Sequence, residues 1–284
     1  MTKASVFTDE ISQDFEEAVR TAADAGLTFV DLRNAWNRSC AELKRDDWQK
    51  LAEIMQRHGV RLGAIQSPFG KCDLAEDDYQ RHLAFLPNLI EQAHFFGTDV
   101  IRIFPFWQSD HANTKLRPNL APLLEEIVTK LRRATRLAER EGVYLALEPE
   151  HSTFGGSPTE IRTIVDAVDS PALRVSWDVS NGWLPDEPIF PDGYARVKGL
   201  VVNVHVKDRA FPPDEEDGRH APTLLGAGLV PWPRVIQTLK ADGYDGVYTI
   251  ETHFGSKTRY GWPKLKAATT YYMYALRELL EDNA

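Results

Sequence analysis

The sequence predicts an α/β fold of the (β/α)8 TIM-barrel class, with residues 1–284 forming a single domain. Eight short apolar segments alternate with helical patterns over 284 residues, a length typical of such a barrel. The segments are near-continuous apolar runs, as expected when both faces of a parallel sheet are buried. Five helical patterns also end in a glycine that shortly precedes the next strand: Gly26, Gly59, Gly97, Gly142 and Gly243.

The first half of the chain is predicted to contain four strand–helix units. Its strands comprise Val6–Phe7, Thr28–Leu32, Val60–Ile65 and Val100–Phe104. After each strand, apolar residues recur at helical spacing, in stripes that begin at Phe15, Trp48, Tyr79 and Leu120.

The second half adds four more strands, at Val143–Leu147, Leu173–Trp177, the stretch from Leu200 to Arg209, and Gly246–Ile250. Ser157 to Glu160 predicts a helix start with a capping box, and two later helices cover Trp232–Ala241 and about Pro263–Leu280. The polar loop from Phe211 to Leu229 is the longest irregular segment. Because long loops are usually functional or disordered, we expect it to cover part of the active-site mouth, with a surface insertion as the alternative.

The composition of the chain indicates which binding partners and which cellular compartment to expect. The net charge of −9 argues against nucleic acid or an anionic membrane. No apolar run is long enough to span a bilayer, and the N-terminus lacks the apolar core of a signal peptide. Cys40 and Cys72 are isolated, so we expect reduced thiols in a cytoplasmic protein.

An open doubly wound sheet is the alternative fold, but no G-x-G-x-x-G follows the first strand, which disfavours dinucleotide binding.

Four polar residues close strands five to eight: Glu148, Asp178, His205 and Glu251. A barrel gathers such strand ends on the face where active sites lie. Three carboxylates and an imidazole cannot crowd together in ionised form unless a cation is present. The sequence therefore predicts one divalent metal ion, with Mn²⁺ preferred and Mg²⁺, Co²⁺ or Zn²⁺ as alternatives. The competing interpretation is that the carboxylates only cap the helices that follow.

Other polar and aromatic residues near these strand ends are candidate substrate ligands. Glu150 and His151 follow Glu148, and Asn181 and Lys207 lie shortly after Asp178 and His205. Trp107 follows the fourth strand and would form one wall of a substrate pocket. Each of these has a structural alternative as an ordinary loop or core residue.

Six motifs resemble members of the sugar phosphate isomerase/epimerase group in the xylose-isomerase-like TIM-barrel superfamily. They are Leu147–Pro149, Trp177–Asn181, His205–Asp208, Ile250–Thr252, Thr8–Ser12 and Gly226–Gly228. In the ketose 3-epimerases of this superfamily, the glutamates that match Glu148 and Glu251 bind metal and also exchange the proton. Those enzymes usually carry a histidine where this chain has Asn181, so the chain departs from the strict 3-epimerase pattern. Members are often dimers or tetramers, which leaves a homo-oligomer as an expectation.

The resemblance and the residue types together predict a metal-dependent isomerase or epimerase of a sugar or sugar phosphate. Glu148 and Glu251 would transfer the proton at the carbon beside a carbonyl, through an enediolate. One alternative is a dehydratase or lyase on a keto-sugar or keto-polyol, similar to inosose dehydratase. Another is a sugar-binding protein without catalysis. The related endonuclease IV recruits further histidines that this chain does not offer at strand ends, and the acidic charge also disfavours DNA repair.

Overall fold

The computed structural model describes residues 3–108, 119–181, 188–209, 222–254 and 261–282. Within this part of the chain, eight parallel strands alternate with helices, which confirms the predicted TIM-barrel class. The chain divides into two compact units, which we call the terminal unit (residues 1–64 and 204–284) and the central unit (residues 65–203).

The terminal unit contains the first strands and the last ones. Strand β1 (Lys3–Val6) pairs in parallel with β10 (Val247–Ile250), in a register that runs from Lys3 opposite Val247 to Val6 opposite Ile250. Its other elements are α1 (Phe15–Asp24), β2 (Phe29–Leu32), the hairpin strands β3 (Asn34–Ala35) and β4 (Arg38–Ser39), α2 (Arg45–Arg57), most of β5 (Arg61–Ile65), the end of β9 (Val201–Val206), α7 (Trp232–Ala241) and α8 (Gly261–Asp282).

The central unit continues the same alternation. Its elements are α3 (Glu76–Phe96), β6 (Val100–Ile103), α4 (Leu124–Glu141), β7 (Tyr144–Leu147), α5 (Pro158–Val168), β8 (Leu173–Asp178) and α6 (Tyr194–Val197). The strands β6, β7 and β8 pair in parallel, with Val100 opposite Tyr144 and Leu145 opposite Leu173. Parallel pairing places the carboxyl ends of these strands, and so their last side chains, at the same edge of the sheet.

The ends of the helices follow local chemistry. Ser157 Oγ accepts a hydrogen bond from the Glu160 N–H at 3.2 Å, and Glu160 Oε2 accepts one from the Ser157 N–H at 3.0 Å, which completes the predicted capping box of α5. Gly142 ends α4 at a φ of 68°, a left-handed conformation that glycine adopts without steric cost.

The hairpin of β3 and β4 is an element that the sequence did not predict. Trp36 and Asn37 form its turn with φ values of 54° and 58°. Positive φ at both central residues is the geometry of a type I′ turn, which matches the twist of the flanking strands.

No helix among the described residues combines the length and the hydropathy that a bilayer-spanning segment requires.

Candidate functional site

Four buried side chains of metal-binding type lie at the carboxyl ends of strands. Glu148 directly follows β7, Asp178 is the last residue of β8, His205 is the penultimate residue of β9, and Glu251 directly follows β10. None of them is more than 2% exposed. Glu148 and Asp178 in the central unit, and His205 and Glu251 in the terminal unit, each offer a carboxylate or imidazole donor of the kind that divalent ions prefer.

In the central unit, Glu148 is held from two sides. Arg102 Nη1 donates to Glu148 Oε2 at 3.0 Å, and Asn181 Nδ2 donates to Glu148 Oε1 at 3.0 Å. The other end of the Arg102 guanidinium donates from Nη2 to the carbonyls of Gln66 and Ser67, at 3.0 and 3.3 Å. Arg102 and Glu148 are 4% and 2% exposed, so this is a buried ion pair whose geometry fixes the carboxylate.

A tight turn after β8 orients Asp178 and Asn181 together. Asp178 Oδ1 accepts hydrogen bonds from the N–H groups of Ser180 and Asn181, both at 2.8 Å. Aspartate side chains stabilise turns in this way because the carboxylate satisfies the N–H groups that follow it. The same turn therefore sets the carboxylate of Asp178 and brings the Asn181 amide to Glu148.

In the terminal unit, both oxygens of Glu251 face positive or hydrogen-bonding groups. Arg33 Nη1 donates to Glu251 Oε1 at 2.9 Å, and His253 Nε2 lies 2.8 Å from the same oxygen. On the other oxygen, Lys207 Nζ lies 3.1 Å and His205 Nδ1 3.4 Å from Oε2. Burial raises the pKa of Glu251, but Lys207, His253 and His205 outweigh that effect, so the pKa lies well below its usual range.

Glu10 holds the backbone that carries this cluster. Its carboxylate accepts hydrogen bonds from the Thr252 N–H at 2.6 Å, the Thr252 hydroxyl at 2.9 Å and the His253 N–H at 3.1 Å. His253 takes a φ of 53°, an uncommon conformation for a residue other than glycine. The bonds to Glu10 stabilise this backbone and so direct the imidazole of His253 to Glu251. Glu10, Glu251 and His253 each offer a ligand atom within 4.8 Å of the others, so these two buried carboxylates and the partly exposed imidazole form a second group that could hold a cation.

The predicted substrate residues differ in their surroundings. Asn181 and Lys207 are buried and bind Glu148 and Glu251 directly, so they support the glutamates in this structure. Glu150, His151 and Trp107 are each partly exposed on loops after β7 and β6. A direct contact of any of the five with substrate stays a prediction.

Asp208 organises the start and end of the long loop. Residues 211–221 of the segment predicted to cover the active-site mouth lie outside the described residues, so that prediction stays a prediction. The carboxylate of Asp208 accepts hydrogen bonds from the N–H groups of Gly226, Gly228 and Val230, at 3.0, 3.1 and 3.2 Å, and from that of Arg209 at 2.9 Å. A side chain at Gly228 would have its Cβ 2.1 Å from Asp208 Oδ1, so only glycine allows this close approach.

The sequence interpretation missed the two arginines that pair with the glutamates. Arg102 stands inside an otherwise apolar strand, and a buried charge in such a strand requires a partner. That signal was present in the sequence, although it does not identify Glu148 as the partner. Arg33 follows β2, where a charged residue after a strand gives no such signal. Arg33 also binds Asp9 Oδ2 at 2.9 Å and lies 4.7 Å from the Phe7 ring.

Known proteins match this chain over most or all of its length. A family model described as xylose isomerase-like TIM barrel matches residues 19–270. L-ribulose-5-phosphate 3-epimerase of Salmonella typhi is 26% identical over 249 residues, which cover 83% of this chain and 81% of that protein.

Two solved structures share the fold at lower identity. A xylose isomerase-like TIM barrel protein from Mycobacterium smegmatis, solved in complex with magnesium, gives a TM-score of 0.76 at 19% identity and covers 100% of this chain and 98% of its own. D-psicose 3-epimerase from Clostridium cellulolyticum H10, solved with D-tagatose, gives 0.74 at 16% identity and covers 99% of each chain. At these identities the likeness is one of fold.

Proposed function

The chain belongs to the family of xylose isomerase-like TIM barrels, and on that premise we propose that it is a metal-dependent isomerase or epimerase of a sugar or sugar phosphate. One observation carries this proposal: two buried glutamates follow different strands, and each is held by its own arginine and by a second polar side chain. A pair of oriented carboxylates is what proton removal and return require. The epimerase names of the relatives in Salmonella and Clostridium favour epimerisation over dehydration.

The proposed metal ligands are Glu148, Asp178, His205 and Glu251. The support is their burial, their donor chemistry and the general rule that a TIM barrel forms its active site from the carboxyl ends of its strands. Mn²⁺ is the proposed ion, with Mg²⁺ as the nearest alternative because a structural relative was solved with it. When bound, such an ion would supply a Lewis acid that stabilises negative charge on the carbonyl and neighbouring hydroxyl oxygens of the substrate.

The residues of the chain supply the proton transfer. One of Glu148 and Glu251 removes a proton from the carbon beside the substrate carbonyl, and the other returns a proton to the opposite face. Arg102 and Arg33 hold the carboxylates in place, so that no reorganisation is needed during the transfer. A positioned carboxylate of this kind contributes about 10²- to 10⁴-fold to the rate.

Five further residues are proposed to contact the substrate: Asn181, Lys207, Glu150, His151 and Trp107. Lys207 and Asn181 carry an ammonium and an amide, which are groups that donate hydrogen bonds to sugar oxygens.

Solvent exchange tests the proposed function. The Mn²⁺-loaded protein is incubated in D₂O with a panel of ketoses, ketose phosphates and keto-polyols, and deuterium at the carbon beside the carbonyl is measured by NMR. We expect deuterium incorporation that Glu148→Gln and Glu251→Gln both reduce at least 10²-fold. The matched control is Glu91→Gln, which makes the same change on the exposed surface of α3 and should retain full exchange.

Other outcomes of this assay identify the alternatives. Loss of water with formation of a conjugated carbonyl would indicate the dehydratase. Turnover without exchange would indicate a hydride shift. Bound metal with neither turnover nor exchange on any substrate would refute the proposal and favour a sugar-binding protein.

A further inference from the structure

Three loops of the central unit are joined by backbone hydrogen bonds beyond the ends of β5, β6 and β7. We call them the loop platform, and it comprises residues 69–72, 104–108 and 150–155. The Phe104 N–H donates to the Phe69 carbonyl at 2.8 Å, and the Trp107 N–H donates to the Cys72 carbonyl at 2.9 Å. The second and third loops are joined by the bonds Gln108 N–H to Ser152 carbonyl and Phe154 N–H to Phe106 carbonyl, at 3.0 and 3.1 Å.

These bonds make the loop platform rigid at the edge of the sheet where catalytic residues lie in this fold. Glu150 belongs to the platform and stands two positions after Glu148. The platform is therefore a preformed surface beside a residue of the proposed proton-transfer pair, as a binding site requires.

The loop platform carries one ion pair that solvent can reach. Lys71 Nζ lies 3.5 Å from Glu150 Oε2 and 4.3 Å from the centre of the Phe104 ring. The side chains of Lys71 and Glu150 are 35% and 19% exposed, unlike the almost fully buried pair of Arg102 and Glu148. Polar groups that are fixed yet accessible are suited to contact a ligand.

We propose that Lys71 and Glu150 form the subsite that binds the hydroxyl-bearing end of an unphosphorylated sugar, remote from its carbonyl. This inference rests on the proposed function in that it takes the substrate to be a sugar. The ammonium supplies hydrogen-bond donors and the carboxylate supplies acceptors, and a sugar hydroxyl can use both at once. The pair is electrically neutral, so an uncharged ligand meets no net charge.

A phosphate in the same place would meet Glu150 as well as Lys71. It carries a charge of about −1.5 to −2 near pH 7, and the carboxylate lies 3.5 Å from the ammonium that would have to bind it. Attraction to Lys71 is then opposed by repulsion from Glu150, so the neutral pair does not compensate the phosphate for the water that it loses on binding, and we expect a cost of about ten-fold in affinity. The pair therefore selects the free sugar over its phosphate.

Binding of unreactive ligands tests the subsite independently of turnover. Calorimetry on the Mn²⁺-loaded protein compares the pentitols ribitol, xylitol and arabinitol with their 5-phosphates. We expect the preferred pentitol to bind about ten-fold more tightly than its phosphate, and Glu150→Gln to reduce this ratio about ten-fold. Glutamine keeps a side-chain oxygen that can accept the hydrogen bond from the Ser152 N–H, which Glu150 Oε1 accepts at 3.4 Å.

Matched variants separate the charge of Glu150 from other effects. Glu150→Asp keeps the charge and should keep the preference for the pentitol. Glu91→Gln removes one charge from exposed α3 and should leave the ratio unchanged. Lys71→Gln removes the other member of the pair and should weaken pentitol binding several-fold. If Glu150→Gln does not fold, Lys71→Gln still tests whether the pair contributes to binding.

The outcomes are decisive for the subsite. Tighter binding of the phosphate by the unaltered protein, an unchanged ratio in Glu150→Gln, or no binding of any pentitol would overturn it. The D₂O assay reports separately on the proposed function. If the preference for the pentitol depends on Glu150 but no deuterium exchange is seen, the subsite is supported and the proposed isomerase or epimerase activity is refuted.

Discussion

Replacing Arg102 with methionine should strongly destabilise the protein when metal is removed by a chelator. The change leaves the carboxylate of Glu148, only 2% exposed, without its arginine, and it also removes the donor to the Gln66 and Ser67 carbonyls. Breaking a buried ion pair by removing one partner costs about 3–5 kcal/mol, because the remaining charge is buried without compensation. We therefore expect Arg102→Met to lower the free energy of unfolding by about that amount, as measured by urea denaturation with circular dichroism.

A control and a double variant sharpen this measurement. Arg162→Met removes an arginine of similar size from an exposed pair with Asp166 on α5, and it should cost only about 0.3–0.5 kcal/mol. Adding Glu148→Gln to Arg102→Met removes the uncompensated charge and should recover part of the lost stability. A loss below about 1 kcal/mol in Arg102→Met, or no recovery in the double variant, would show that this pair does not carry the energy of a buried salt bridge.

Two further predictions concern the metal and the pH dependence of folding. Alanine at Glu148, Asp178, His205 or Glu251 should abolish most Mn²⁺ binding in elemental analysis, and full occupancy in the His205 and Glu251 variants would refute the ligand set. Burial lowers the pKa of His82 from 6.5 to about 4, so the unfolded chain binds the proton more strongly and stability falls as the pH drops from 6.5 to about 4. This loss should exceed that of His82→Gln by about 1–2 kcal/mol, after allowance for the partly exposed ring, and identical pH profiles of the two proteins would contradict it.

Local patterns were sufficient to predict the alternating elements. The stripe that starts at Leu120 and the glycine at position 142 predicted α4, which spans Leu124–Glu141. The hairpin of β3 and β4 escaped prediction because two-residue strands show no alternation. Helical periodicity depends on neighbours three or four positions apart, so it is visible in sequence, whereas very short strands depend on the contacts around them.

The charge pairs of the candidate site could not be predicted in the same way. Residue types and strand ends identified Glu148 and Glu251 as candidates. The partners are distant in sequence: Arg102 is 46 positions from Glu148, and Arg33 is 218 positions from Glu251. Lys207 was expected to face the substrate, and its bond to Glu251 depends on the pairing of β9 with β10. Only the tertiary structure determines which charges meet.

The four N–H groups bound by Asp208 have an evolutionary consequence. They join the residue that follows Lys207 to the segment that leads into α7, so both junctions of the intervening loop are fixed at one carboxylate. We therefore expect changes of length between Arg209 and Pro222 to leave His205 and Lys207 in place. On this expectation, a barrel can change its loops, and with them its substrates, while the groups at its strand ends stay where they are.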